Sequence, residues 1–115
     1  MLHRRWKWIE DSDGWTAFVT WQDALPRAHR VELAAGLEML LDYGPEHDTY
    51  QVGDELYVVY ACSKRTVLWL LVGVARPGER WLLPLAWGTG SPSARRLSEA
   101  ADEATEQLRK WRSGA

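Results

Sequence analysis

A chain of 115 residues carrying a formal net charge of −2 is one domain, long enough to bury a single core without metal or disulfide support. Its charge balance supplies no global attraction to nucleic acid, so binding of that kind needs a local basic surface. A lone cysteine excludes a disulfide framework, and the longest apolar run, Val67 to Ala75, falls far short of the roughly 20 residues of a membrane helix. With no apolar signal segment near its start, the chain is expected to be soluble and cytoplasmic.

Taken in order, Arg5-Trp6-Lys7-Trp8-Ile9 alternates as a half-buried first strand, with Trp6 and Trp8 on one face and Arg5, Lys7 and Ile9 on the other. A basic strand interleaved with Trp suits an edge whose charges discourage aggregation; equally, with Arg4, it suits binding to a nucleic-acid backbone with bases stacked on the rings. Asp11-Ser12-Asp13-Gly14 offers a turn and an N-cap for a helix over roughly Trp15 to Ala24, with Trp15, Phe18, Val19 and Gln22 at helical spacing. The same WTAFVTW segment also alternates well enough for a strand. A second helix begins near Pro26 and ends at Gly44-Pro45. Its stripe is Leu33, Gly36, Leu37, Leu40 and Leu41, widened by Val31 and Ala34.

Asp48 to Val52 reads as a short strand. Three apolar runs follow, Leu56 to Cys62, Val67 to Ala75 and Trp81 to Trp87, separated by the turns Ser63-Lys64-Arg65 and Arg76 to Arg80, each short enough for an antiparallel hairpin. The runs are nearly continuous, which predicts a sheet covered on both faces, and Cys62 within the first is expected to be a buried structural thiol. Pro84 cannot donate to a ladder and marks an edge strand or a bulge. Ser91 as N-cap and Pro92 at the first helical position open a last helix to about Arg112, with Leu97, Ala100, Ala101, Ala104, Leu108 and Trp111 on its buried stripe. The fold class expected is α+β: an antiparallel sheet of four to five strands, an N-terminal helical hairpin packed on it, and a C-terminal helix.

Several groups carry chemistry. Lys64 and Arg65 at one turn, Arg76 and Arg80 at the other, and Arg95-Arg96 in the first turn of the last helix are cations suited to phosphate. Tyr57, Tyr60, His47 and Glu46 are the candidate proton carriers. Arg95-Arg96 follows a Gly-rich loop, and the N–H groups of a helix start point at the same space; a plain helix cap explains the same residues. The three histidines lack a ligand spacing with Cys or acid, so no metal site is expected. Gly88-x-Gly90 lacks the third glycine of a dinucleotide fingerprint and the lysine of a P-loop, so no cofactor is expected either.

Leu40-Leu41-Asp42-Tyr43-Gly44 at a helix end, then Leu56-Tyr57, Arg65-Thr66-Val67-Leu68-Trp69, Leu82-Leu83, and Thr89 with Pro92 before the last helix form a pattern spanning nearly the whole chain. In these residues the chain resembles the RelE/ParE superfamily of toxin-antitoxin toxins, in particular its phage-derived HigB-like branch. The resemblance implies one domain over residues 1–115 acting as a metal-free endoribonuclease on mRNA at the ribosome and silenced by a protein antitoxin. It implies a catalytic group of Lys64, Arg65, Tyr60, Arg95 and Arg96, with Arg4, Arg5, Lys7, Arg76 and Arg80 binding RNA. The chain departs from the family where the chemistry lies. The family strand reads Leu-Tyr-Glu-Leu-Arg, and Leu56-Tyr57-Val58-Val59-Tyr60 loses both its acid and its arginine; the lysine-rich loop before the last helix is replaced by Gly88-Thr89-Gly90-Ser91. A non-catalytic interaction module with a Trp-rich surface and a ParE-like gyrase inhibitor are the alternatives.

Overall fold

The computed structural model describes residues 5–114. Its elements are β1 (Lys7–Trp8), α1 (Asp13–Asp23), α2 (Arg27–Tyr43), β2 (Tyr50–Gly53), β3 (Leu56–Ser63), β4 (Thr66–Val74), β5 (Trp81–Thr89) and α3 (Ala94–Ser113). The strands form one sheet in the order β1-β5-β4-β3-β2. β2 to β5 are an antiparallel meander, while β1 joins the outside of β5 in parallel, Lys7 opposite Trp81 and Trp8 opposite Leu82. The α+β class expected from the sequence is thus observed, with a mixed rather than purely antiparallel sheet.

β4 explains why its sequence barely alternates. Leu68, Leu70, Val72 and Val74 face α1 and α2, where they meet Phe18, Leu33, Leu37 and Leu40. Trp69 and Leu71 face α3, where they meet Ala100 and Ala104. From Leu68 to Val74 both faces of β4 are buried, and full burial of one such leucine contributes about 1.5–3 kcal/mol. On the α3 side the helix residues are small, so α3 lies close to the strands; a Cβ on Gly73 would stand 2.8 Å from Leu85 Cδ1 and 3.2 Å from Leu108. At its far end α3 is fixed by Arg112, whose Nε donates to Ala75 O at 3.1 Å and whose Nη2 donates to Val74 O at 2.8 Å.

The expected first strand divides as its alternation implies: Trp6 and Trp8 pack with the α1/α2 core and Ile9 with the Leu83–Leu108 cluster on the other face. α1 is a helix, capped by Ser12, which accepts from Trp15 N. β5 carries a bulge, because Leu71 pairs with Ala86 while Val72 pairs with Pro84; the extra residue, Leu85, lets the strand pass its proline.

Three local expectations are corrected. α3 is capped by Ser93 rather than Ser91, since the Ser93 hydroxyl reaches Arg96 N at 3.0 Å. Val31 is 58% exposed and Ala34 is also exposed, so the buried stripe of α2 is narrower than its apolar residues suggest. Cys62 is exposed: it pairs with Val67, two residues beyond the Tyr60–Trp69 pair and toward the hairpin tip, past the strand residues that pack on α3.

Candidate functional site

The register sorts the candidate residues onto two ends of the sheet. At one end, β3 and β4 are joined by Lys64 and Arg65, whose φ angles are +48° and +69°. Two consecutive left-handed residues make the tight hairpin turn that suits twisted strands; Asn-Gly is the low-strain choice there, and Lys-Arg is not. The loop before α3 is tied to the same end, since Gly90 N donates to Val67 O at 2.7 Å.

Between tip and helix lies a row of aromatic groups on the α3 face. Tyr60 is 38% exposed and is the cross-strand partner of Trp69, which is 4% exposed. Tyr50 stands edge-on to Tyr60 at 5.9 Å between ring centroids, and the Arg96 guanidinium lies over the Trp69 ring at 5.8 Å. The neighbouring strand makes room for that indole with Gly88: a Cβ there would lie 2.6 Å from Trp69 Nε1. Val58, standing where the family acid is expected, is buried against α3, and Tyr60 stands where the arginine is expected. Arg96, in the first turn of α3, brings a cation to the same row. Arg95 does not join it, since its side chain is 89% exposed and ion-pairs with Glu99 at 3.1 Å.

The residues expected to bind RNA lie at the opposite end, where β4 finishes and β5 starts, about 26 Å away by the rise of a strand. Arg4 falls outside the described residues. Arg5 holds α2, through Glu38 at 2.6 Å and Asp42 at 2.7 Å; the hydrogen bond it donates to the Glu38 carboxylate keeps its guanidinium above the ordinary arginine range against the opposing effect of desolvation. Lys7 lies over Trp81 at 5.8 Å and Arg80 over Trp6 at 6.0 Å. Arg76 is exposed in the β4–β5 turn. The two predicted sets therefore do not form one continuous surface.

Two recesses border this second end. The larger, of about 790 Å³, is lined by Trp6, Trp8, Trp81 and Trp111 together with Lys7 and Arg76. The smaller, of about 440 Å³, contains Tyr57. Tyr57 is 5% exposed, and its hydroxyl stands 3.5 Å from Glu46 Oε1. Burial first, then the negative charge of Glu46 and of Glu55, raise the phenol above its ordinary value of 10.0. Tyr57 and Glu46 were legible in the sequence as proton carriers, but they lie on the α1/α2 side of the sheet, away from Tyr60. The carboxylates of Glu55 and Glu79 in the same recess were not, since each reads locally as a turn charge. His47 ion-pairs with Asp48 at 3.3 Å if protonated. Among the described residues no cluster of three or more His, Cys, Asp or Glu is arranged to hold a metal ion, and no helix is long and apolar enough to cross a membrane.

Fold and site together define an α+β domain with a five-stranded mixed sheet, helices on both faces, and an aromatic–cationic row at one end. Comparison of the chain with models of protein families, with curated proteins and with solved structures found no match.

Proposed function

We propose that the chain is the toxin of a type II toxin-antitoxin pair, a metal-free endoribonuclease of the RelE/HigB-like kind acting on mRNA and silenced by a protein antitoxin. The observation that supports this reading is the row Tyr50, Tyr60, Trp69 and Arg96 with Lys64 and Arg65 at the adjoining tip. Single-stranded RNA requires aromatic faces for its bases and cations for its backbone, and the row offers both. In this mechanism Arg96, Lys64 and Arg65 stabilise the charge that develops on the phosphate as the 2′-hydroxyl attacks. Tyr60, the proton-carrying group within the row, donates its proton to the 5′-oxygen as the bond from that oxygen to phosphorus breaks, and the 2′-hydroxyl proton passes to water. Loss of the family acid and arginine makes positioning and electrostatics the main contributions, and implies slow turnover.

The test is expression without any antitoxin, followed by growth measurement and mapping of RNA ends. Growth arrest with new RNA ends that disappear in Tyr60→Phe and Arg96→Ala is the expected result; normal growth with intact RNA sinks the proposal. A second reading, a non-catalytic module that binds a protein partner, is favoured by the four tryptophans lining the larger recess, since buried aromatic anchors dominate protein interfaces. Growth arrest with intact RNA, relieved by Trp81→Ala but not by Arg96→Ala, supports that reading instead.

A further inference from the structure

The outer face of α2 plays no part in the function proposed above. Leu33, Leu37 and Leu40 bury the inner face in the core over β3. On the opposite side Val31, Ala35 and Met39 recur every four residues and form one stripe. Val31 is 58% and Met39 46% exposed, and Ala35 is exposed between them. Beside Ala35 stands Gly36, where an added Cβ would meet nothing within 4 Å. A glycine inside a helix is disfavoured relative to alanine, and unlike Gly73 and Gly88 this one has no neighbour in its own chain that needs the space. The charges of α2 are also reversed. Its first turn holds Arg27 and no acid, its last turn Asp42 and no base, the opposite of what a helix's own dipole favours; α3, by contrast, ends on Lys110 and Arg112. Arg5 is one cation against the two carboxylates of Glu38 and Asp42, so the C-terminal half of the face stays net acidic.

We propose that this face pairs with the same face of a second copy of the chain, α2 against α2 in antiparallel orientation, about a two-fold axis through Ala35. Arg27 and Asp42 flank the stripe on one side of the helix, nearly equidistant from Ala35. The two-fold therefore brings Arg27 of each copy to the partner's Asp42, sets Val31 level with the partner's Met39, and lays each helix dipole against its opposite. A parallel pair would bring like charge to like. Ala35 and Gly36 keep the centre of the face low, so the axes approach to roughly 8 Å. A helix of 17 residues is about 26 Å long, and one such pair buries less than the roughly 1,200–2,000 Å² of a stable interface. The dimer is accordingly weak, half-formed at about 0.1 mM. α2 and the Trp69–Arg96 row lie on opposite faces of the sheet, so pairing leaves the row open in both copies.

The proposal is tested on the whole chain by sedimentation equilibrium from about 10 µM to about 1 mM, where a monomer–dimer equilibrium is expected. Val31→Asp is expected to abolish the dimer and Arg27→Glu to weaken it roughly tenfold, since the two-fold repeats each contact. Neither should lower the melting temperature, because both side chains are exposed. Orientation is tested with single cysteines in a Cys62→Ser background and oxidised glutathione as the oxidant. Ala35→Cys is expected to cross-link to its own copy, because the axis brings the two positions within the reach of about 4.4–6.8 Å between Cα atoms that a disulfide needs. Val31→Cys alone is expected to stay uncross-linked, and a mixture of Val31→Cys with Met39→Cys to cross-link. A chain that stays monomeric at about 1 mM, which leaves the face to another protein, overturns the proposal. So does a dimer undiminished by Val31→Asp, or a Val31→Cys cross-link that forms faster than the one at position 35. None of these readouts depends on RNA cleavage, so this face and the Arg96 site stand or fall separately.

Discussion

The two ends of the sheet hold similar cations and aromatic rings and use them differently. Where β1 meets β5, Arg5 is held by two carboxylates of α2, Lys7 and Arg80 cover tryptophan rings, and Arg112 closes onto the carbonyls of Val74 and Ala75. These cations fasten elements together. At the hairpin end Lys64 and Arg65 project from a strained turn, with no ion pair to either among the described residues, and Arg96 meets a ring rather than a carboxylate. Identical residue types thus fasten elements together at one end and stand clear of carboxylates at the other. What separates the two roles is whether a carboxylate or carbonyl from a distant part of the chain arrives beside them.

The strongest perturbation of both ends together is expected from Leu70→Ala, since Leu70 is fully buried midway along β4. It should cost about 2–5 kcal/mol in urea denaturation and impair both recess and row. Next comes Arg96→Ala, which should lower RNA cleavage about a hundredfold while leaving the melting temperature almost unchanged; Arg5→Ala should do the reverse, with no loss of cleavage. If Arg5→Ala abolishes cleavage, the division between the ends is wrong. Gly88→Ala, which drives a methyl into the Trp69 indole, should destabilise by about 1–3 kcal/mol and weaken RNA binding, a packing change made at the row itself. A Lys64→Asn, Arg65→Gly double variant should gain about 1 kcal/mol by relaxing the left-handed turn yet bind RNA more weakly, with a shallower salt dependence. Smallest is the effect at Tyr57. Its raised phenol stabilises the fold below the unfolded value near 10, and that contribution is lost as pH rises above it; Tyr57→Phe should flatten the fall in melting temperature at alkaline pH.

The strands and helices were legible because local residue pattern determines them. The β4 run announced a sheet covered on both sides, Gly44 announced the end of α2, and Pro84 announced an edge strand or a bulge, of which the register shows the bulge. Cys62 misled because an apolar neighbourhood in sequence says nothing of where a helix packed on the sheet begins. Ser91 and Ser93 are both competent caps, and only the reach of a hydroxyl to Arg96 N distinguishes them. The contacts of Arg5 and Arg96 were illegible for a different reason: Glu38 lies 33 residues from the one, and Trp69 lies far from the other. Such pairings depend on how helices cross the sheet, which no short window of sequence encodes.

The glycines of the sheet have a consequence for how the strands find one another. In a strand that is polar on one side, a slip of one residue exposes its apolar set to water, and that cost fixes the alignment. β4 is apolar on both sides, so the same slip would still bury hydrophobic groups and solvent alone would hardly oppose it. Gly88 receives the indole of Trp69, and Gly73 leaves space for the ends of Leu85 and Leu108. These two notches act as keys, Gly73 in β4 and Gly88 in β5, and only one alignment seats both at once.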